Sequence, residues 1–151
     1  MIRVQREDFD ASAELKKLGN EGRRIGGIAA FVGVVRGSES GEAIEAMTLE
    51  HYPGMTEAEL ARIEAEARAR WPLEEVIIIH RYGRLKAGEN IVLVIAASSH
   101  RQAAFEACAF VVDFLKTKAP FWKLEERGSG AQWVEAQASD DALAEGWRNS
   151  R

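Results

Sequence analysis

A lone cysteine, Cys108, leaves no disulfide to form within the chain, and the three histidines lie too far apart in sequence to make a metal-ligand motif. No stretch approaches the roughly 18 uninterrupted apolar residues of a membrane-spanning helix. The opening MIRVQREDFD carries no apolar run behind its charges. The chain therefore reads as soluble and cytoplasmic, with no membrane partner. Positive charge is in short supply as well: 20 Lys and Arg stand against 24 Asp and Glu, for a net charge of −4. That balance argues against a general nucleic-acid binder, whose footprint is a basic surface. The G-x-S-x-G, Walker A and G-x-G-x-x-G patterns are missing, which removes the motif-based grounds for a nucleophile-elbow hydrolase, a P-loop enzyme or a dinucleotide-binding fold.

Proline is scarce too, with three in 151 residues, and each one punctuates an element. Pro53-Gly54 breaks a strand, Pro72 stops a helix, and Pro120 ends the most strongly marked helix of the chain. With 46% hydrophobic residues and no dividing linker, residues 1–151 read as one domain able to bury a core without staples.

Ile2 to Gln5 is a short strand candidate and about Asp10 to Leu18 a short helix, followed by a loop through Asn20, Gly22, Gly26 and Gly27. Gly27 to Arg36 reads as a strand, and Gly37 to Gly41 (GSESG) as an exposed turn. Ala43 to Tyr52 alternates, with Ile44, Ala46, Thr48 and Glu50 on one side and Met47, Leu49 and His51 on the other. Thr56 with Glu59 has capping-box spacing and opens a helix to about Trp71, with Leu60, Ile63, Ala67 and Trp71 on one face. Val76 to Tyr82 and Ile91 to Ala97 are nearly continuous apolar runs, expected to be central strands buried on both faces and paired through the Gly83/Gly88 turn. Ser99 and Gln102 give the capping box of the marked helix, which runs to Lys118 or Ala119. Phe121 to Glu126 and Gln132 to Ala136 flank Gly128-Ser129-Gly130 as a hairpin, and Asp140 to Arg148 is a terminal helix. This order predicts an α+β fold with a mixed, largely antiparallel sheet and three to four helices.

Phe105, Cys108, Val112 and Leu115 form an apolar stripe at helical spacing, so Cys108 is expected in the core rather than as a nucleophile. Basic residues gather at both ends of the same helix. Lys116 lies in its last turn, where the dipole favours a cation. Lys123 follows Pro120 in a strand, on the face opposite Trp122. Two lysines across a rigid turn can converge on one anion or carbonyl, and apolar neighbours can lower an amine's pKa far enough for proton transfer. The bland alternative is two solvated charges, which is the expectation for Lys118. His100 and Arg101 occupy the first helical turn, where N–H groups and the dipole favour anions. Arg36 ends a strand just before a mobile loop. Taken together these cations suggest a phosphate-bearing ligand, with plain surface charge as the alternative.

The segment HRQAAFEACAFVVDFLKTKAPFWKLE, with TLEHYPGMTEAEL at Thr48 to Leu60, resembles the large, catalytic subunit of molybdopterin synthase; the likeness runs from about Gly27 to Trp147. The resemblance implies an α/β-hammerhead-like fold with an added antiparallel hairpin subdomain. It implies a sulfurtransferase that converts cyclic pyranopterin monophosphate, its substrate, into the dithiolene of molybdopterin, with no cofactor of its own. Sulfur would arrive as a thiocarboxylate on the C-terminal glycine of a small ubiquitin-like partner. Carried over by position, Lys116 and Lys123 would be catalytic, while Arg36, His100, Arg101 and the pocket aromatic Phe31 would bind substrate. Gln137 departs from the basic residue that a relative carries after WVEA. If Cys108 is core, the chain has no sulfur nucleophile, in keeping with a donor that comes from elsewhere.

The competing reading is a non-catalytic scaffold that uses the same cations to dock a partner's acidic tail. Arg101 and Lys116 sit at opposite ends of one helix, about 22 Å apart at 1.5 Å per residue. The expectation is therefore a homodimer with shared sites, the small subunit completing a heterotetramer.

Overall fold

The computed structural model describes residues 1–21, 24–134 and 138–149. Among them the elements run β1 (Ile2–Gln5), α1 (Ala11–Glu21), β2 (Gly27–Val34), β3 (Ser38–Glu39), β4 (Glu42–His51), α2 (Met55–Arg70), β5 (Leu73–Arg81), β6 (Gly83–Lys86), β7 (Asn90–Ser98), α3 (Arg101–Thr117), β8 (Phe121–Arg127), β9 (Gly130–Val134) and α4 (Ala138–Asn149). The architecture is α+β, as the element order predicted.

The first sheet has the order β1-β5-β7-β2, with β1 parallel to β5 and the other pairs antiparallel. Its apolar runs are continuous because both faces are covered. Val76, Ile78, Val94 and Ala96 face α2 and α3, where Leu60, Ile63, Ala107, Phe110 and Val111 complete the larger core. Ile77, Ile79, Leu93 and Ile95 face the other way, against Leu15 and Leu18 of α1. Phe110 is wholly buried; truncating such a residue to Ala costs about 3–5 kcal/mol.

The second sheet is antiparallel, in the order β3-β4-β8-β9 with β6 also on β4, and supplies the added hairpin layer. Val35, Ile44, Leu49 and Leu85 form its core, with Met47, Ile91 and Phe121 packed on it. Here the strict alternation expected along β4 fails. A register shift between Ile44 and Ala46 turns Ile44 to the same core as Leu49, as a bulge must when it inserts one residue in a period of two. β5 and β7 do pair, Ile78 opposite Val94. Their connection is more than a turn, because β6 leaves it to join β4 in the other sheet.

Two expected caps are shifted. In α2 the N-cap is Gly54, whose N–H donates to Glu57 Oε1 at 3.3 Å. Thr56 is instead buried: its hydroxyl accepts from the Tyr52 N–H (3.1 Å) and donates to the Pro120 carbonyl (3.3 Å), tying α2 to the chain entering β8. In α3 the N-cap is His100, with no side-chain cap bond. Ser98 ends β7 and its hydroxyl accepts the His100 N–H at 3.3 Å, so the chain needs Ser99 to leave the sheet before it can coil. Phe105 is 66% exposed, off the buried stripe of α3, which runs through Ala104, Ala107, Cys108, Val111 and Leu115. α1 continues to Glu21, beyond the Leu18 expected.

Candidate active site

Lys116 and Lys123 are brought together by the turn between α3 and β8. α3 stops at Thr117, Lys118 caps it by donating its N–H to the Phe114 carbonyl (2.8 Å), and the Phe121 N–H reaches back to Ala119 (2.8 Å). This reversal sends β8 back alongside β4, with Lys123 opposite Leu49 and Val134. Strand alternation turns Lys123 inward and leaves Trp122 41% exposed. Lys118 is exposed, as expected of a surface charge.

Two hollows meet at this lysine pair. One, about 610 Å³ with its open mouth, is mostly apolar: Phe31, Val34, Val92, Val112, Leu115 and Phe121 line it, with His80 among them. The other, about 770 Å³, is polar and adds Arg36, Glu39, Glu125 and Asp140. Lys116, Ala119, Phe121 and Lys123 belong to both. Gly33 keeps the apolar hollow open, since a Cβ there would lie 2.7 Å from Val92 Cγ1.

Burial, and next the charge of Lys116, hold the Lys123 amine below its ordinary value; Asp140 and Glu125 oppose the shift, and Arg36 adds to it. Not every carboxylate of the polar hollow offsets the cations. Arg127 takes Glu125 at 2.8 Å and Glu39 at 2.9 Å, while Arg36 approaches Glu39 only to 3.6 Å. Arg36, Lys116 and Lys123 are thus left with Asp140 as the carboxylate that Arg127 does not hold, and the hollow suits an anion.

Four of the six residues singled out in the sequence therefore converge: Phe31, Arg36, Lys116 and Lys123. His100 and Arg101 do not. They are exposed at the other end of α3, in a separate shallow hollow with Gly26, Ser99 and Phe105. The 17 residues of α3 hold the two groups about 22 Å apart.

A family model described as MoaE protein matches residues 4–118. The chain belongs to the MoaE family. The molybdopterin synthase catalytic subunit of Pseudomonas aeruginosa is 53% identical over 146 residues, which is 97% of this chain and 97% of that protein. The solved MoaE protein of Burkholderia ambifaria aligns with a TM-score of 0.83 at 49% identity, covering 98% of this chain and 97% of that one. The molybdopterin synthase of Staphylococcus aureus gives 0.80 at 28% identity, covering 88% and 96%. The likeness read from LKTKAPFWK and LEHYPGMT is thus a family relationship.

In this MoaE chain Cys108 is 7% exposed, its thiol aimed at the Val94 carbonyl, and burial pushes its pKa up to about 11. It is core, not a nucleophile. Among the described residues no group of three or more His, Cys, Asp or Glu could hold a metal, and no helix is long and apolar enough to cross a membrane. Gln137 lies outside the described residues.

Sequence reasoning passed over His80. It is 6% exposed, at the end of the buried β5 run, and stacks on Phe121 with ring centroids 3.7 Å apart. The available signal was a lone polar residue closing the apolar run VIII. Asp140 was also passed over, because only α4 folding back places it near Lys123.

Proposed function

We propose that this chain is the catalytic subunit of a molybdopterin synthase: it moves sulfur from the C-terminal thiocarboxylate of a small ubiquitin-like partner to cyclic pyranopterin monophosphate. The observation that carries the reading is the pair Lys116 and Lys123 at the junction of an apolar and a cationic hollow, in a MoaE chain whose only thiol is buried. A site without a sulfur nucleophile must import its sulfur. The thiocarboxylate sulfur attacks the precursor side chain and the cyclic phosphate opens. Water then cleaves the acyl–sulfur bond, leaving the sulfur on the substrate and a carboxylate on the partner, and a second partner repeats the transfer.

Each step builds negative charge on oxygen, which the two neighbouring ammonium groups stabilise. The lowered basicity of Lys123 brings it closer to the range in which an amine exchanges protons during turnover. Arg36 would hold the phosphate and Phe31 the face of the ring.

His100 and Arg101 enter through a second copy of the chain. β2 is the outer strand of its sheet, with Ile28, Val32 and Val34 38%, 39% and 45% exposed, beside the exposed Phe105 of α3. An unpaired edge with an apolar flank favours burial against another copy. A two-fold axis perpendicular to β2, pairing the two copies antiparallel, would set the His100–Arg101 end of one protomer against the lysine end of its partner, since Gly27 lies beside Arg101 and Gly33 lines the lysine hollow. Two small subunits then complete a heterotetramer, and the chemistry belongs in the cytoplasm.

Purified protein, thiocarboxylated small subunit and precursor should yield molybdopterin over many turnovers. A scaffold that docks an acidic tail would bind both and release no product.

A further inference from the structure

His80 has no part in the roles assigned above, yet it is the most deeply buried ionisable group lining the apolar hollow. Its position is fixed three ways. β5 ends there, the ring lies at 16° to Phe121 at 3.7 Å between centroids, and Nδ1 is 2.9 Å from the Arg81 carbonyl. A carbonyl can only accept, so Nδ1 carries the proton and Nε2 is a bare acceptor. No hydrogen bond among the described residues reaches Nε2, and Nε2 is not sealed off by protein: the fully enclosed side-chain nitrogen without a partner among those residues is Arg127 Nε. The ring lines the hollow together with Lys116 and Lys123. An acceptor so placed, in a wall otherwise of Phe31, Val34, Val92, Val112 and Leu115, selects a ligand with a flat apolar body and one N–H or O–H donor.

We propose that His80 is a further substrate-binding residue of this site: Nε2 accepts a hydrogen bond from a ring N–H or O–H of the small substrate and orients it against the lysine pair. The assignment rests on the sulfur-transfer reading and extends it. His80 serves as acceptor and not as base. Burial disfavours imidazolium most, and Lys123 on β8, His51 on β4 and Lys116 on α3 add to this; only the Arg81 carbonyl favours it.

His80→Phe keeps an aromatic ring against Phe121 and deletes the acceptor; His80→Gln keeps an acceptor. His80→Phe should raise KM for the precursor about tenfold, the loss expected for one hydrogen bond, with KM for the thiocarboxylated subunit unchanged, and His80→Gln should recover most of it. An unchanged precursor KM, or a rise only in KM for the subunit, overturns the assignment. A merely structural role would lower stability in both variants without this split. Wild-type protein supplies an independent reading that needs neither turnover nor a folded variant. With 15N-histidine label, the Nε2 resonance of His80 should move when precursor alone is added, and an unmoved resonance overturns the proposal. If wild-type protein makes no product, the sulfur-transfer reading falls, and the titration still decides whether His80 meets the ligand.

Discussion

Acid should unfold this protein partly through one imidazole. Burial lowers the pKa of His80 to about 3; the hydrogen bond to the Arg81 carbonyl is the next largest influence and pulls the other way, and the charges of Lys123, His51 and Lys116 add to the lowering. In the unfolded chain the same ring titrates near 6.5. Between those values the unfolded state binds one proton more than the folded state, so stability rises with pH and is lost on acidification, by about 1.4 kcal/mol per unit at most. Integrated from pH 7 to pH 5, the loss is about 2 kcal/mol, and any folded value below about 4 gives the same figure. That is a large share of a stability of about 5–15 kcal/mol. The assay is urea unfolding of wild type and His80→Phe at pH 7, 6 and 5. Groups common to both proteins cancel in the difference. The variant has no ring to protonate, so the gap in unfolding free energy should move in its favour by about 2 kcal/mol at pH 5. Parallel curves over that range would refute the argument and mean that the folded protein accommodates an imidazolium at this position.

Lys116→Ala and Lys123→Ala should each cut sulfur transfer about ten- to a thousandfold, the range for one positioned acid–base or electrostatic group. A near-normal single-turnover rate in either variant would return that lysine to the surface charges. Cys108→Ala should keep full activity at a cost of about 1 kcal/mol in stability, and a folded but inactive Cys108→Ala protein would contradict an external sulfur source. Mixing Lys116→Ala with Arg101→Ala protein should restore part of the activity as subunits exchange, because each mixed dimer regains one intact site. No recovery despite demonstrated exchange would remove the shared site.

Local chemistry determined which elements this chain forms and in what order. Three prolines, a continuous apolar run in β7 and a helical period in α3 are properties of neighbouring residues, so the α+β order was legible, as was the burial of Cys108. Motif identity carried the family in the same way, because LKTKAPFWK keeps both lysines and their turn within nine residues. Tertiary structure decided what neighbours cannot specify. The bulge in β4, the departure of β6 to the second sheet and the cap at Gly54 instead of Thr56 each depend on a partner dozens of residues away. Thr56 is drawn into the interior because Pro120 offers its carbonyl there. The basicity of Lys123 and His80 likewise has no local signature. It follows from how much water the packed chain removes from each group and how close it brings Lys116, Arg36 and Asp140, and only the closed fold sets those distances.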